Sequence, residues 1–436
     1  VLAAIALALL VAALARLSPP AAAPSVAANS LLGGETVRLL IVGDPFAGAL
    51  QQAAAELGRQ AGGTIDIEVV GYDDLRAITL RNATDASSAF DIVSFDVVWA
   101  GEYGATGALL PLDDLIAATP ALAVPDFLPL AYQAAQYHGA QLGLPIQPHP
   151  ELLWYRRDRL AAAGVAPPAT TDELLAAARR LQRPEQGEYG VCWNGQRGQP
   201  LGQQMAHFYA AFGQPLLSPD GLPTLDTPRG VAAARFARDL LAVSPPDVLT
   251  MAWDQRPRRF SRGGCLFTYE WAARSPMVEA DPVSNAHGNV GYAAAPHAPG
   301  AAPVTPLGTW SLGIPANVGE RRDLAWRFLA WLTSPDTERL LAAYGNAGTP
   351  RMSLLNDPQL AERYPAFPLV ARLSAEGQLA DWMRPAVPQW DGLAEILGTA
   401  YHDMLRGELT PEEAAAVAQS RAETLFAAHT SRRVSP

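Results

Sequence analysis

The chain has 436 residues, a formal net charge of −11, 49% hydrophobic residues and 17% charged residues. That length exceeds what one compact core usually organises, so two domains are expected, and the composition is that of a folded protein rather than a disordered one. The negative balance argues against nucleic acid or an anionic membrane surface as the main partner, and the absence of lysine removes Schiff-base and P-loop lysine chemistry.

In chain order the first feature is the apolar run VLAAIALALLVAALA, residues 1–15, followed by the small-residue, proline-rich RLSPPAAAPSVAANS. An apolar segment too short to span a bilayer comfortably, followed by A-x-A-like sites, reads as a secretory signal peptide over residues 1–28. No later stretch is long and apolar enough to cross a membrane. No cysteine stands near the cleavage region to carry a lipid, so the expected location is the periplasm. The only cysteines are Cys192 and Cys265. In an oxidising compartment they either pair in one disulfide or stay as two buried thiols.

VRLLIV (37–42), TIDIEVV (64–70) and AFDIVSF (89–95) read as strands. Helical stretches separate them: ALQQAAAELGRQAG after the breaker GDPF, and DDLRAITLRNAT. Strand–helix alternation predicts a parallel sheet with helices on its faces, with ligands outside the carboxyl ends of the strands. Both the loop at residues 44–46 and that at 96–103 lie there. Residues 141–146 are expected to run into a proline-punctuated link, with LLWYRR extended beyond it. Thr170 or Thr171 is an N-cap before Asp172 and Glu173, and Ser334-Pro335 caps and starts a helix. CLFTYE (265–270) and GTWSLGIPA (308–316) read as further strands. Trp326 and Trp331 recur at helical spacing among Leu and Phe and are assigned to the core. His149, between prolines, reads as a surface-loop residue. No nucleophile elbow, zinc motif, Walker loop or dinucleotide fingerprint is present, so no cofactor and no metal are expected.

Several stretches, taken together and in order, resemble a known family. They are FDIV followed by WAGEY and GALLPLDDL; GLPI with LLWYRRDRLAAAGVAPPATTDEL; FSRGGCLFTYEWAA; and GTWSLGIP with DLAWRFLAWLTSPDTERLLAAYGNAGTPR. The chain is similar here to the extracellular solute-binding proteins of carbohydrate ABC importers, the maltose-binding-protein-like group. The resemblance implies an α/β, two-lobe periplasmic binding protein fold with an interlobe cleft and three chain crossings. By position, the first lobe takes residues 35–144 and 308–344, and the second takes 145–306 and 346–436. It further implies a monomer that captures a small carbohydrate or polyol and passes it to a membrane permease. The loop GVCWNGQRGQPLGQQM also resembles an arginine- and glycine-containing loop of the sugar- and polyol-binding branch.

A sugar or polyol offers hydroxyls that donate and accept, and C–H faces that pack on aromatic rings. Its site therefore wants carboxylates, arginines and tryptophans. Asp96, Trp99 and Glu102 follow the third strand at helical spacing. Phe46 follows the first. Under the resemblance, Glu151 follows the first crossing, Trp193 and Arg197 lie in the CWNGQRG loop, and Glu270 and Trp271 end CLFTYEW. Trp310 lies at the second crossing and Arg351 after the third. These eleven are the expected ligand-binding residues. Two other readings compete. One is a secreted carbohydrate-active enzyme using Asp96 or Glu102 with Glu151 or Glu270 as acid and base. The other is the same fold binding a solute that is not a sugar.

Overall fold

The computed structural model describes residues 31–434, so the expected signal peptide lies outside the described residues. Its strands are β1 (Thr36–Val42), β2 (Thr64–Val70), β3 (Ile92–Asp96), the short hairpin β4 (Gln136–Tyr137) and β5 (Ala140–Gln141), β6 (Leu144–Arg156), β7 (Tyr189–Cys192), β8 (Cys265–Trp271), β9 (Val290–Ala293), β10 (Thr305–Gly313) and β11 (Leu379–Ala380). The main sheet has the order β2-β1-β3-β10-β6-β8-β7, with β11 on β10 and β9 on β6.

The first half is the parallel unit expected from the alternation: β1 pairs in parallel with both β2 and β3. The helix Pro45–Ala61 joins β1 to β2. Proline at its first turn is pre-set for helical φ, and Gly62 closes it in the left-handed conformation at φ 70°. The helix Tyr72–Asn82 joins β2 to β3.

Two strands carry the chain between the halves. Residues 144–150 of β6 pair with β10, whereas residues 151–156 pair with β8 and β9. β10 likewise begins beside β11 and ends against β3. The expected proline-punctuated link is thus a continuous 13-residue strand. Its prolines, Pro145, Pro148 and Pro150, all fall where β6 has a strand on one side only. There a missing N–H costs no ladder bond, as at an edge strand.

In the second half β8 runs antiparallel to β6 and parallel to β7. Cys192 and Cys265 form a disulfide across these neighbouring strands, with Cα atoms 5.9 Å apart. Thr170 caps the helix Thr171–Leu181 with a reciprocal capping box to Glu173, and Ser334 caps Pro335–Ala343. Trp326 and Trp331 pack in the main core cluster as expected. The helices Gln199–Ala211 and Trp390–Leu405 cross in backbone contact. A Cβ at Gly202 would lie 1.9 Å from the Ala394 carbonyl oxygen, and one at Gly398 would lie 1.9 Å from that of Gly198. Only glycine fits at either position.

Candidate functional site: a cleft between the two sheet halves

Strand register brings the first polar residues together. Asp96, the last residue of β3, stands opposite Trp310 of β10, and Trp310 stands opposite Gln147 of β6. Asp96 precedes a short helical turn without capping it through its side chain. Its Oδ2 accepts from the Tyr72 hydroxyl at 3.1 Å and from Arg384 at 2.6 Å. Arg384 also donates to Gln203 Oε1 at 3.2 Å. Asp44, at the end of β1, accepts from Trp310 Nε1 at 2.9 Å, and Arg274 lies 3.4 Å from its other oxygen.

Aromatic rings enclose this cluster. The Tyr72 centroid lies 4.6 Å from Trp99, 5.7 Å from Trp253 and 5.9 Å from Trp310. His149 stands edge-on to Trp271 at 4.9 Å, and the Arg384 guanidinium sits over the Trp271 ring at 5.5 Å. His149 is therefore a buried strand residue and not a surface-loop residue. The one-sided pairing that tolerates Pro148 and Pro150 keeps it in β6, facing the cluster. Burial pushes its imidazole down to about 4, against the opposing pull of Asp44 and Asp96.

Contacts that cross the cleft include Asp44–Arg274, Asp96–Arg384, Arg76–Asp391 at 2.7 Å, Trp99 Nε1 to Asp391 at 3.3 Å, and Tyr72–Trp253. The helix Ala100–Thr106 also touches the opposite wall. A Cβ at Gly101 would lie 2.3 Å from the Ala386 carbonyl oxygen.

Several buried polar atoms at the cluster have no hydrogen-bond partner: Asp96 Oδ1, Arg384 Nε and Nη1, Gln203 Nε2 and Thr309 Oγ1. Each such atom costs about 1–3 kcal/mol. Unbonded donors and acceptors are thus both present among the aromatic rings.

Of the eleven expected residues, the structure brings together Asp96, Trp99, Trp271 and Trp310. Glu102 sits at the rim, where Arg76 grips it through two bonds of 2.6 and 2.7 Å. Glu151 and Glu270 lie behind Trp271 rather than in front of it. Glu151 accepts from Arg256 at 2.8 Å and Gln204 at 3.1 Å, with His207 Nδ1 at 2.5 Å. Burial alone would raise its carboxyl, but His207 and Arg256 outweigh that and hold it at about 2. Glu270, on the far side of Arg256, is raised by burial, which Arg256 offsets only in part.

The other expectations are corrected by packing. Phe46 lies in the second position of its helix and turns into the core, while Asp44 two residues earlier faces the cleft. Trp193 is fully buried and donates to Ser244 Oγ at 2.8 Å. Arg197 is half-exposed and paired with Asp403. Arg351 is fully buried, donates to the carbonyls of Leu122, Ala123 and Thr333, and stacks 3.6 Å over Phe127. It ties backbone segments together.

Tyr72, Asp44, Gln203, Trp253, Arg384 and Asp391 also lie at this cluster and are not among the expected residues. Tyr72 and Asp44 follow strands β2 and β1 as Asp96 follows β3, so the strand-end rule could have found them. Arg384 lies in WMRPAVPQW, a charge among prolines and indoles, and no spacing rule marks it.

A sheet split between two halves, bridged by two long strands and enclosing a polar cleft walled by indoles, defines a two-lobed ligand-binding protein. The chain belongs to the bacterial extracellular solute-binding protein family, whose model matches residues 43–339. It is similar to a solute-binding protein of an ABC transporter from Agrobacterium radiobacter, solved in complex with ribitol. The identity is 30%, the TM-score 0.84, and the match covers 91% of this chain and 100% of that one. Among sequence relatives, a probable amino-acid ABC transporter periplasmic-binding protein of Sinorhizobium fredii is 24% identical, over 90% of each chain. The mannitol-binding protein of Pseudomonas aeruginosa is 26% identical, over 76% of this chain and 79% of that one.

Proposed function

We propose that the protein captures an uncharged sugar or polyol between its lobes and delivers it, unchanged, to the membrane permease of an ABC importer outside the cytoplasm. The observation that carries this reading is the Asp96–Arg384 cluster: buried donors and acceptors left unbonded, inside a wall of tryptophans. Hydroxyls satisfy both kinds of atom, and C–H faces suit the rings. The ribitol and mannitol ligands of the relatives agree with it. The ligand contacts are Asp44, Tyr72, Trp99, Asp96, His149, Gln203, Trp271, Trp310 and Arg384. The lobes comprise residues 35–144 with 308–344 and 145–306 with 346–436, so that the first two crossings fall within β6 and β10. Closure brings the second wall's Arg384 and Asp391 onto the first, so the ligand favours the closed state through contacts that only it offers.

Catalysis is disfavoured by the state of the carboxylates. Glu102, Glu151 and Glu270 are each engaged by an arginine, as Asp96 is by Arg384, so every carboxylate of the enzyme reading is held in an ion pair. Thermal unfolding against a panel of polyols, sugars and amino acids tests the reading. A cognate ligand at 100 times its Kd adds about 2.7 kcal/mol to stability. Stabilisation by polyols or sugars is expected, with the ligand recovered intact. Stabilisation by amino acids alone, or recovery of a cleaved product, overturns it.

A further inference from the structure

Gly308 lies in the middle of β10, opposite His149 of β6. Glycine inside a strand weakens it and marks a place where something approaches the backbone closely. The φ of Gly308 lies outside the left-handed region, so its backbone is open to any residue and the reason for glycine is room. A Cβ there would lie 2.5 Å from His149 Nε2 and 2.8 Å from Arg384 Nη1. Two polar atoms thus converge on the bare backbone of one buried residue.

The two atoms are of opposite kind. His149 Nδ1 faces the Gln147 carbonyl oxygen at 2.7 Å. A carbonyl only accepts, so the ring proton sits on Nδ1 and Nε2 carries the lone pair. Burial favours the neutral ring that this tautomer requires. Arg384 Nη1 only donates, and it is buried without a hydrogen-bond partner. An acceptor and a donor set against the same point suit one hydroxyl, which donates to Nε2 and accepts from Nη1 at about 2.8 Å each. A carboxylate has no proton for Nε2. An ammonium has no lone pair for Nη1 and sets like charge against the guanidinium. A C–H group serves neither.

Resting on the sugar-or-polyol reading, we propose that His149 Nε2 and Arg384 Nη1 jointly read one hydroxyl of the ligand, and that Gly308 is the positioning residue that sets this specificity, because its missing side chain lets the pair converge. Selection at this point is for a neutral hydroxyl over an amine, a carboxylate or a bare methylene at the same carbon.

Calorimetric titration of the full chain with mannitol, ribitol, sorbitol, arabinitol, glucose and mannose gives the parent ligand. Its deoxy and aminodeoxy analogues, altered one carbon at a time, are then titrated into wild type, Gly308→Ala and His149→Phe. For mannitol or ribitol both equivalent hydroxyls are changed together, so that turning the ligand end for end cannot restore the bond. The contacts at Gly308 are with side-chain ends that can give way, so Gly308→Ala is expected to fold, which its unfolding temperature checks. In wild type, removing the hydroxyl at one carbon should cost about 100-fold or more in affinity, and replacing it by an amine at least as much. In Gly308→Ala that discrimination disappears while discrimination at the other carbons persists. His149→Phe, which keeps a ring and removes the acceptor, gives the same result and carries the test if Gly308→Ala does not fold. If no single hydroxyl matters in wild type, or if the variants weaken parent and analogue alike, the hydroxyl reader is wrong and the sugar-or-polyol reading stands. If nothing in the panel binds wild type, that reading falls and this inference falls with it.

Discussion

Two buried acid clusters stand on either side of Trp271, and they differ in what they have left to offer. In front, Asp96 shares one oxygen with Tyr72 and Arg384 and leaves the other unbonded, as Arg384 leaves two of its nitrogens. Behind, Glu151 and Glu270 sandwich Arg256. Three of their four oxygens accept hydrogen bonds, and the fourth lies 2.9 Å from Arg256 Nε. Both are buried, and both set carboxylates against an arginine. Spare capacity at the carboxylate separates a grip on a ligand from a scaffold: the rear carboxylates hold β6, β8 and the helix Gln199–Ala211 together, although His207 Nε2 there has no hydrogen-bond partner.

The largest effect should come from breaking the rear cluster. Glu151→Ala leaves the fully buried Arg256 with Glu270 alone and takes from Gln204 and His207 Nδ1 their shared partner, which costs about 3–5 kcal/mol. Chemical denaturation reads this directly, and a Glu151→Ala protein of unchanged stability would erase the distinction. Next, Arg384→Ala should weaken binding of a cognate polyol or sugar about 100-fold, as expected for a lost charged hydrogen-bond donor at a desolvated site. It should lower the stability of the unliganded protein by less than Glu151→Ala does. Isothermal titration and unfolding on the same samples measure both quantities.

A smaller effect is expected from His149, which faces Asp44, Asp96 and Arg384. Its folded pKa of about 4 lies below the ordinary 6.5, so the unfolded chain binds the extra proton between those values. Stability from this residue is present above pH 6.5 and is lost as pH falls towards 4. His149→Asn should flatten that slope, whereas an unchanged slope would place its origin elsewhere.

The fold was readable because its signals are local. Three strands with helices between them, a capping box at Thr170 and the Ser334-Pro335 start each follow from a few neighbouring residues. The site was readable in part. Asp96 and Trp99 stand at a strand end, where the topology places ligands. Phe46 was misplaced by two positions, because Pro45 starts the helix and so fixes which side chain turns inward. Glu151 and Glu270 sit where the resemblance places ligand contacts, yet a sequence cannot show that Arg256 and His207 have already taken their oxygens. Arg384 and Asp391 come from a segment nearly 300 residues after Asp96, and only folding sets them against it.

The glycine-to-backbone crossing of the helices Gln199–Ala211 and Trp390–Leu405 has a mechanical consequence. Gln203 comes from one helix, Asp391 from the other, and Arg384 from the segment leading into it. The two glycine contacts lock the helices together at their crossing, and Tyr209 packs against Tyr401 further along, so these residues form one wall. Under the proposed capture, a ligand meets a wall that is already assembled, rather than separate loops that must each be ordered. Less conformational entropy is then lost on capture than if each of these residues had to be ordered separately.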